Sequence, residues 1–447
     1  MDLAYMAALP MEEFAELVGH ILRKFRRAKV FEQMQEDSLF LVFSDIERRR
    51  NDGCDYPFRQ DSYFWYLTGF NEPNSALLLR KQQGEQQAII FVRPSDKLLE
   101  IWNGRRLGVD NAPQTLLVDT AYAIDEFVPQ FKNLVQKQTA LYYAPKQHPW
   151  GDTLLEQSTV EFLSVFNWKP MLGEMRLFKS ENEIALMQQA GQISALAHIK
   201  AMQQTRPNRL EYEVESDILH EFNRFGARYP SYNSIIAGGE NACILHYSEN
   251  DMPLLDGDLV LIDAGCEFAM YAGDITRTFP VNGQFTEAQK EIYDIVLQAQ
   301  KRAIELLVPG GSIAKANEEV IRIKTEGLVR LGILKGNVDE LIEQKAYREF
   351  YMHGLGHWLG LDVHDVGEYG ENRDRTLEPG MVLTVEPGLY LSKEADIPEQ
   401  YKGIGIRIED NLLITDYGNK NLTSAAPKEI ADIEKLMADA QSLARQK

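Results

Sequence analysis

The sequence predicts an α/β fold in two domains, on three observations. Its 447 residues are 44% apolar, more chain than one core ordinarily organises. Short apolar runs of strand length alternate with longer amphipathic stretches. Near residue 175 the pattern changes, from strands joined by polar connections to helices that open on capping sequences.

Taken in order, the first part opens with a mixed-charge helical lead from Met11 to about Gln35. An apolar strand follows at Leu39 to Ser44, with further strands at Ala76 to Leu79 and Ala88 to Val92. Gln82 to Gln87 and Asn111 to Gln114 read as connections. The aromatic string Tyr63, Phe64, Trp65, Tyr66 is expected to pack, because aromatic rings supply large buried area. Past residue 175, Ser180 with Glu183 and Thr286 with Gln289 have the capping-box form, in which each side chain satisfies an orphan backbone donor. Helices are therefore expected over about 180 to 204, from near Leu210, after Thr286, and after the turn Pro309-Gly310-Gly311-Ser312. Strands are expected at Leu259 to Ala264, Asp274 to Val281, Met381 to Glu386 and Ile404 to Thr415. No low-complexity tract or fixed-period repeat interrupts the chain, so the domains are placed at 1–174 and 175–447 without a flexible linker.

Composition excludes several classes of function. Against 67 acidic residues there are 47 basic ones, and a net charge of −20 repels nucleic acid. No apolar stretch approaches the roughly 20 residues that cross a bilayer. The first 30 residues carry charges from Glu12 to Arg27 and lack an export signal, so neither membrane nor secretion is expected. Cys54, Cys243 and Cys266 are odd in number and widely spaced, which fits a reducing cytoplasm and neither a disulfide framework nor a zinc ribbon.

The chemistry concentrates in the second part. Leu259-Val260-Leu261-Ile262-Asp263 ends an apolar strand on a carboxylate, expensive to bury unless paired or metal-bound. Asp274 follows 11 residues later, a spacing that suits a hairpin bringing both acids together. Val382-Leu383-Thr384-Val385-Glu386 repeats the pattern. In Ile406-Arg407-Ile408-Glu409, period-two geometry turns Arg407 and Glu409 to one face. Singly, Asp263 and Asp274 also read as turn formers and Glu409 as half of an ion pair. Together with His357, four such acids repel one another and raise their pKa values unless cations lie between them. Two divalent ions cancel the charge of four carboxylates, which marks a dinuclear site. An oxygen-rich set with no thiolate favours manganese first, then cobalt, iron or zinc. His353 and His357 have the spacing of a helical zinc motif, but Gly354-Leu355-Gly356 between them weakens a helix and supplies no Glu after the first His.

In order and type, Asp263, Asp274, His357, Glu386 and Glu409 resemble the ligands of the pita-bread metallopeptidases. The phrases Pro230-Ser231-Tyr232-Asn233, Ile244-Leu245-His246-Tyr247, Gly273-Asp274-Ile275-Thr276-Arg277-Thr278, His353-Gly354-Leu355-Gly356-His357 and Gln60-Asp61-Ser62-Tyr63-Phe64-Trp65-Tyr66 resemble the aminopeptidase P (Xaa-Pro aminopeptidase) group of that family. The resemblance implies a ribonuclease-H-like N-terminal domain and a C-terminal pita-bread domain. It implies removal of the N-terminal residue from peptides with proline second, two divalent metal ions, most simply Mn(2+), and a homo-oligomer, dimer or tetramer. Asp263 would hold one ion, His357 and Glu386 the other, and Asp274 and Glu409 both. Glu386 would move the proton. His246, His353 and His364 would line the substrate pocket and stabilise the tetrahedral intermediate, each with a structural histidine as its alternative. Arg407 would orient a ligand, the alternative being a solvated pair. Tyr390 would hydrogen-bond the site and substrate, or pack. Trp102 and Arg105 have two readings, closing the pocket from a neighbouring subunit or simple packing, of which packing is preferred. Prolidase shares the five ligands and differs in taking dipeptides; a metal-free adaptor or creatinase-type hydrolase is opposed by the complete ligand set.

Overall fold

The computed structural model describes residues 11–445; the first ten residues, which belong to the stretch inspected for an export signal, and the last two lie outside it. Two compact units divide between Leu172 and Gly173. In the first, β1 (Ser38–Phe43) is buried along its whole length, as a continuous apolar run demands of a central strand. It pairs antiparallel with β2 (Ala76–Gln82), which pairs antiparallel with β3 (Glu85–Val92). β4 (Thr120–Ala123) joins β3 in parallel, while β5 (Ala140–Tyr142) and β6 (Ser164–Phe166) extend from β1 in parallel. The strand order is β4-β3-β2-β1-β5-β6. Leu39, Leu41, Phe43, Leu78, Ile89 and Phe91 pack there against Phe127 and Phe131.

Three sequence expectations change in this unit. Gln82 to Gln87 is no loop: β2 and β3 run through it and meet at Gln83-Gly84, both at positive φ, the geometry of a two-residue hairpin turn. Asn111 to Gln114 lies inside the helix Gly108–Leu116, where Gly108, Ala112 and Leu116, four residues apart, form a buried stripe that outweighs the polar composition and Pro113. The aromatic string does pack: Asp61 caps the helix Ser62–Thr68, and Phe64 and Tyr66 are buried. Trp102 does not; on the helix Lys97–Asn103 it is 84% exposed, beside exposed Leu98 and Ile101.

The second unit is built on short antiparallel sheets covered by longer helices, the last of them Ile430–Arg445. β7 (Ile235–Gly238), β8 (Leu259–Asp263) and β9 (Thr276–Pro280) form one sheet with Asp263 opposite Thr276. β10 (Val382–Val385) pairs with β13 (Asp410–Thr415) and β13 with β14 (Gly418–Asn421), while β11 (Gly388–Leu391) pairs with β12 (Ile404–Arg407). The capping boxes read from the sequence open α1 (Glu181–Gln204) and α3 (Glu287–Leu306). Of the others, α2 (Glu211–Arg224) follows Leu210 and α4 (Ile313–Arg330) is capped by Ser312. One large core, including Ile193, Ile262, Phe279, Val296, Leu383 and Ile406, joins helices to sheets. Here too the expected strands shorten. Asp274 precedes β9 by two residues, and Ile404 to Thr415 splits, because Ile408 N donates to Pro387 O and Glu409 N to Thr276 O instead of to one partner strand.

Candidate active site

Every acid singled out lies at or within two residues of an end of one of these strands, where the ladder stops and the side chains can converge. Asp263 ends β8, Glu386 follows β10, and Glu409 bridges β12 and β13. Two glycines let the chain close around them. A Cβ on Gly265 would collide with Gly273 O and one on Gly356 with Thr384 O, so the backbones next to Asp274 and His357 approach as only glycine permits.

Ligand atoms of Asp274, His357 and Glu409 all lie within 4.8 Å of one another, a set able to hold a metal ion. His357 Nε2 is 3.4 Å from Asp274 Oδ2 and 3.4 Å from Glu386 Oε1. On its other side Nδ1 donates to Trp358 O at 3.0 Å, which leaves the Nε2 lone pair facing the carboxylates when the ring is neutral. Glu409 Oε2 accepts from Thr276 Oγ1 at 2.6 Å. Thr384 Oγ1 donates to Glu386 Oε1 at 3.2 Å. Asn411 clamps the Asp274 backbone, its Oδ1 accepting from Asp274 N at 3.0 Å while its Nδ2 donates to Asp274 O.

Asp263 stands at the adjoining wall, where Tyr232 donates to Oδ1 at 2.6 Å and Arg407 to Oδ2 at 2.6 Å. The same guanidinium reaches Thr276 Oγ1 and, at 3.0 Å, the Tyr390 hydroxyl. Tyr390 in turn lies 2.8 Å from His353 Nε2. Because His353 Nδ1 donates to Gly354 O, Nε2 is the acceptor and Tyr390 the donor. Arg407, Tyr390 and His353 thus form one polarised chain, and Tyr390 both bonds and packs, at 2% exposure. His364 meets His357 edge-on with ring centres 4.3 Å apart. His246 and His364 are exposed.

The electrostatics follow from crowding. Burial, with the Asp274, Glu386 and Asp263 charges, holds the Glu409 carboxyl well above the usual range. Burial and Asp274 push Glu386 up to about 7, against the opposing pull of His357. His357 is raised to about 9: burial disfavours its charge, but the hydrogen bond and charge of Asp274 prevail. His353 falls to about 3 through burial and the nearby Arg407, and is neutral. Crowded acids that hold Glu386 and Glu409 above the ordinary carboxylate range, and that hold a proton on the His357 imidazole facing them, have the chemistry of a site a divalent cation would occupy in place of those protons, and the residues present fit such an ion.

The sequence had singled out Asp263, Asp274, His357, Glu386, Glu409, Arg407, Tyr390 and His353, and one hydrogen-bonded and charged assembly contains all eight. It had not singled out Thr276, Thr384, Tyr232 or Asn411. Thr276 and Thr384 lie two residues from Asp274 and Glu386, so strand periodicity could have found them; Tyr232 stands inside the phrase Pro230-Ser231-Tyr232-Asn233, which marks it without giving its partner 31 residues on, and Asn411 acts across 137 residues, where no local signal exists.

Carboxylates and an imidazole gathered at strand ends in the second unit of an α/β chain define the class as a metal-dependent hydrolase. Residues 185–416 match the model of metallopeptidase family M24, and residues 24–142 match the aminopeptidase P N-terminal domain. The chain belongs to metallopeptidase family M24 and has the aminopeptidase P fold. It is 71% identical over 437 residues to a Xaa-Pro aminopeptidase of Haemophilus influenzae, covering 98% of this chain and 100% of that one. With the Xaa-Pro aminopeptidase of Escherichia coli it shares 53% over 428 residues, 93% and 97% of the two chains. The solved structure of E. coli aminopeptidase P with the inhibitor Pro-Leu superposes with a TM-score of 0.93 at 52% identity, covering 95% and 99%. A zinc-substituted form of that protein in complex with product gives 0.93 at 52%, covering 94% and 98%.

Proposed function

We propose that this protein is a dinuclear metallo-aminopeptidase that hydrolyses the bond between an N-terminal residue and a proline in second position. The observation that carries the reading is the convergence of Asp274, His357 and Glu409 within 4.8 Å, with Glu386 beside His357, in a chain 71% identical to a Xaa-Pro aminopeptidase. Asp263 would hold one ion, His357 and Glu386 the other, and Asp274 and Glu409 both; manganese is favoured by the oxygen-rich, thiolate-free donors. When bound, divalent ions lower the pKa of water and polarise a carbonyl.

The chain's own residues supply the rest. Glu386 accepts the proton lost by the attacking water and returns it to the proline nitrogen as the C–N bond breaks, releasing one amino acid and a peptide that begins with proline. Thr384 orients Glu386 through Oε1. Arg407 fixes Asp263 and, through Tyr390, the neutral His353, which with His246 and His364 would line the substrate pocket and stabilise the tetrahedral intermediate. Tyr390 would contact substrate alongside His246 and His364. An Xaa-Pro amide lacks the N–H that other peptidases grip, so the pocket must fit the ring instead.

Catalysis is assigned to 175–447, with 1–174 as the N-terminal creatinase/prolidase-like domain. A cytoplasmic homo-oligomer, dimer or tetramer, completes the proposal. The three free cysteines support the location, and the homo-oligomer rests on the family resemblance; among the described residues no helix is long and apolar enough to cross a membrane. The test is direct. Metal-stripped protein is expected to be inactive, to recover with manganese, and to cleave a tripeptide with proline second at least as fast as an Xaa-Pro dipeptide. Cleavage confined to dipeptides, or undiminished by chelation, refutes it.

A further inference from the structure

The residues of the 238–252 segment carry His246 between β7 and β8, yet apart from the short turn Gly239–Cys243 the segment has no regular structure to hold it. Asn250 ties its far end to Ile236 N at 3.0 Å and Ser234 O at 2.8 Å, and one acid ties the rest. Glu211, the first residue of α2, is fully buried, and both of its oxygens point into this loop. Oε1 accepts from Gly238 N at 2.9 Å and Asn241 Nδ2 at 3.1 Å; Oε2 accepts from Tyr247 OH at 2.7 Å and Met252 N at 3.0 Å. These four donors span the loop from its first residue to its last. A Cβ on Gly238 would press on Leu254 and on the Glu211 carboxylate, so the strand end is shaped to the acid. The backbone closes the same seam, with Glu211 N donating to Met252 O at 3.0 Å.

Tyr247, next to His246, faces two ways. Its hydroxyl binds Glu211, and its ring packs in a cluster with Ile235, Ala237, Leu261 and Tyr390. Tyr390 is the hydroxyl that links Arg407 to His353. Carboxylate, loop and pocket wall are therefore one mechanical unit.

We propose that Glu211 is a positioning residue for the peptidase reaction, acting through the loop to hold His246 at the substrate. The inference rests on the function proposed above for His246. Replacement by glutamine keeps shape but, whichever way the amide turns, sets its N–H donors against a backbone N–H, that of Gly238 or of Met252, so a bond of the clamp is lost and the loop must move.

The test combines two readouts on the manganese-loaded protein with a proline-second tripeptide. Hydrogen exchange, measured without substrate, is expected to quicken over 238–252 in Glu211→Gln while β8 keeps its protection. In kinetics, Glu211→Gln is expected to lower kcat/KM about tenfold, with the same division between kcat and KM as His246→Ala, and to add little to His246→Ala in the double variant. Tyr247→Phe, which removes one of the four bonds and spares the fold, is expected to give a few-fold loss of the same kind. Unchanged exchange over 238–252, or a Glu211→Gln loss that multiplies in full with that of His246→Ala, overturns the proposal. A wild-type protein that leaves the tripeptide uncut rejects the reaction instead, and the exchange result then judges the clamp independently.

Discussion

Glu409 and Asp410 are neighbours in the chain, both buried, and their surroundings are opposite. Behind the sheets, Asp410 accepts from Arg277 at 2.8 Å, Lys428 at 2.7 Å, Gln300 at 2.8 Å and Thr423 at 2.8 Å, and its carboxyl is held far below the usual range despite burial. In front, Glu409 has one hydroxyl partner and three other acids around it, and is held far above. Alternation along the backbone turns the two side chains to opposite faces. The difference shows what each face is for: the rear carries enough cations of its own and is structural, while the front has a single guanidinium, Arg407, taken up by Asp263, and is short of cations around Glu409.

The comparison can be broken from either side. The largest effect is expected at Glu386: Glu386→Gln should retain the circular dichroism of the parent while kcat on a proline-second tripeptide falls about 100- to 10,000-fold, the usual yield of a positioned proton carrier. Near-normal turnover removes its role. On the rear face Asp410→Asn should lower the free energy of unfolding by about 3–5 kcal/mol in urea titrations, since it strands Arg277 and Lys428 without their anion.

Asp365 sharpens the same point through pH. Burial opposes its charge, but Arg176 and Lys179 hold its carboxyl below the ordinary 3.8. A depressed acid contributes stability that is fully present above the unfolded pKa and lost as pH falls through the folded one. Wild-type stability should therefore drop below about pH 4, and Asp365→Asn should be weaker at pH 7 with a shallower acid slope; parallel slopes count against the ion pair. The smallest effect is expected from Tyr390→Phe, which cuts the link between Arg407 and His353: about tenfold in kcat/KM, near the low end for a hydrogen bond to a charged group.

How much of this was legible depended on distance along the chain. The capping boxes at Ser180 and Thr286 and the apolar run of β1 are local, and each gave its element. The Gln82 to Gln87 hairpin misled because polar residues on an exposed strand end resemble a loop, and Ile404 to Thr415 misled because nothing in its alternation says that Ile408 and Glu409 leave their ladder for Pro387 and Thr276. In the site, acids closing apolar runs were legible since such a position is costly without a counter-charge. Glu211 was not, because its partners lie 27 to 41 residues away and its own helix start looks ordinary.

The central claim, that the front face is short of cations and the rear is not, is tested most directly by the thermal unfolding midpoint with and without manganese in wild type, Glu409→Gln and Asp410→Asn. Manganese should raise the midpoint of wild type and of Asp410→Asn by similar amounts and that of Glu409→Gln far less, while metal-free Glu409→Gln should be at least as stable as metal-free wild type. An equal manganese shift in Glu409→Gln and wild type contradicts the account.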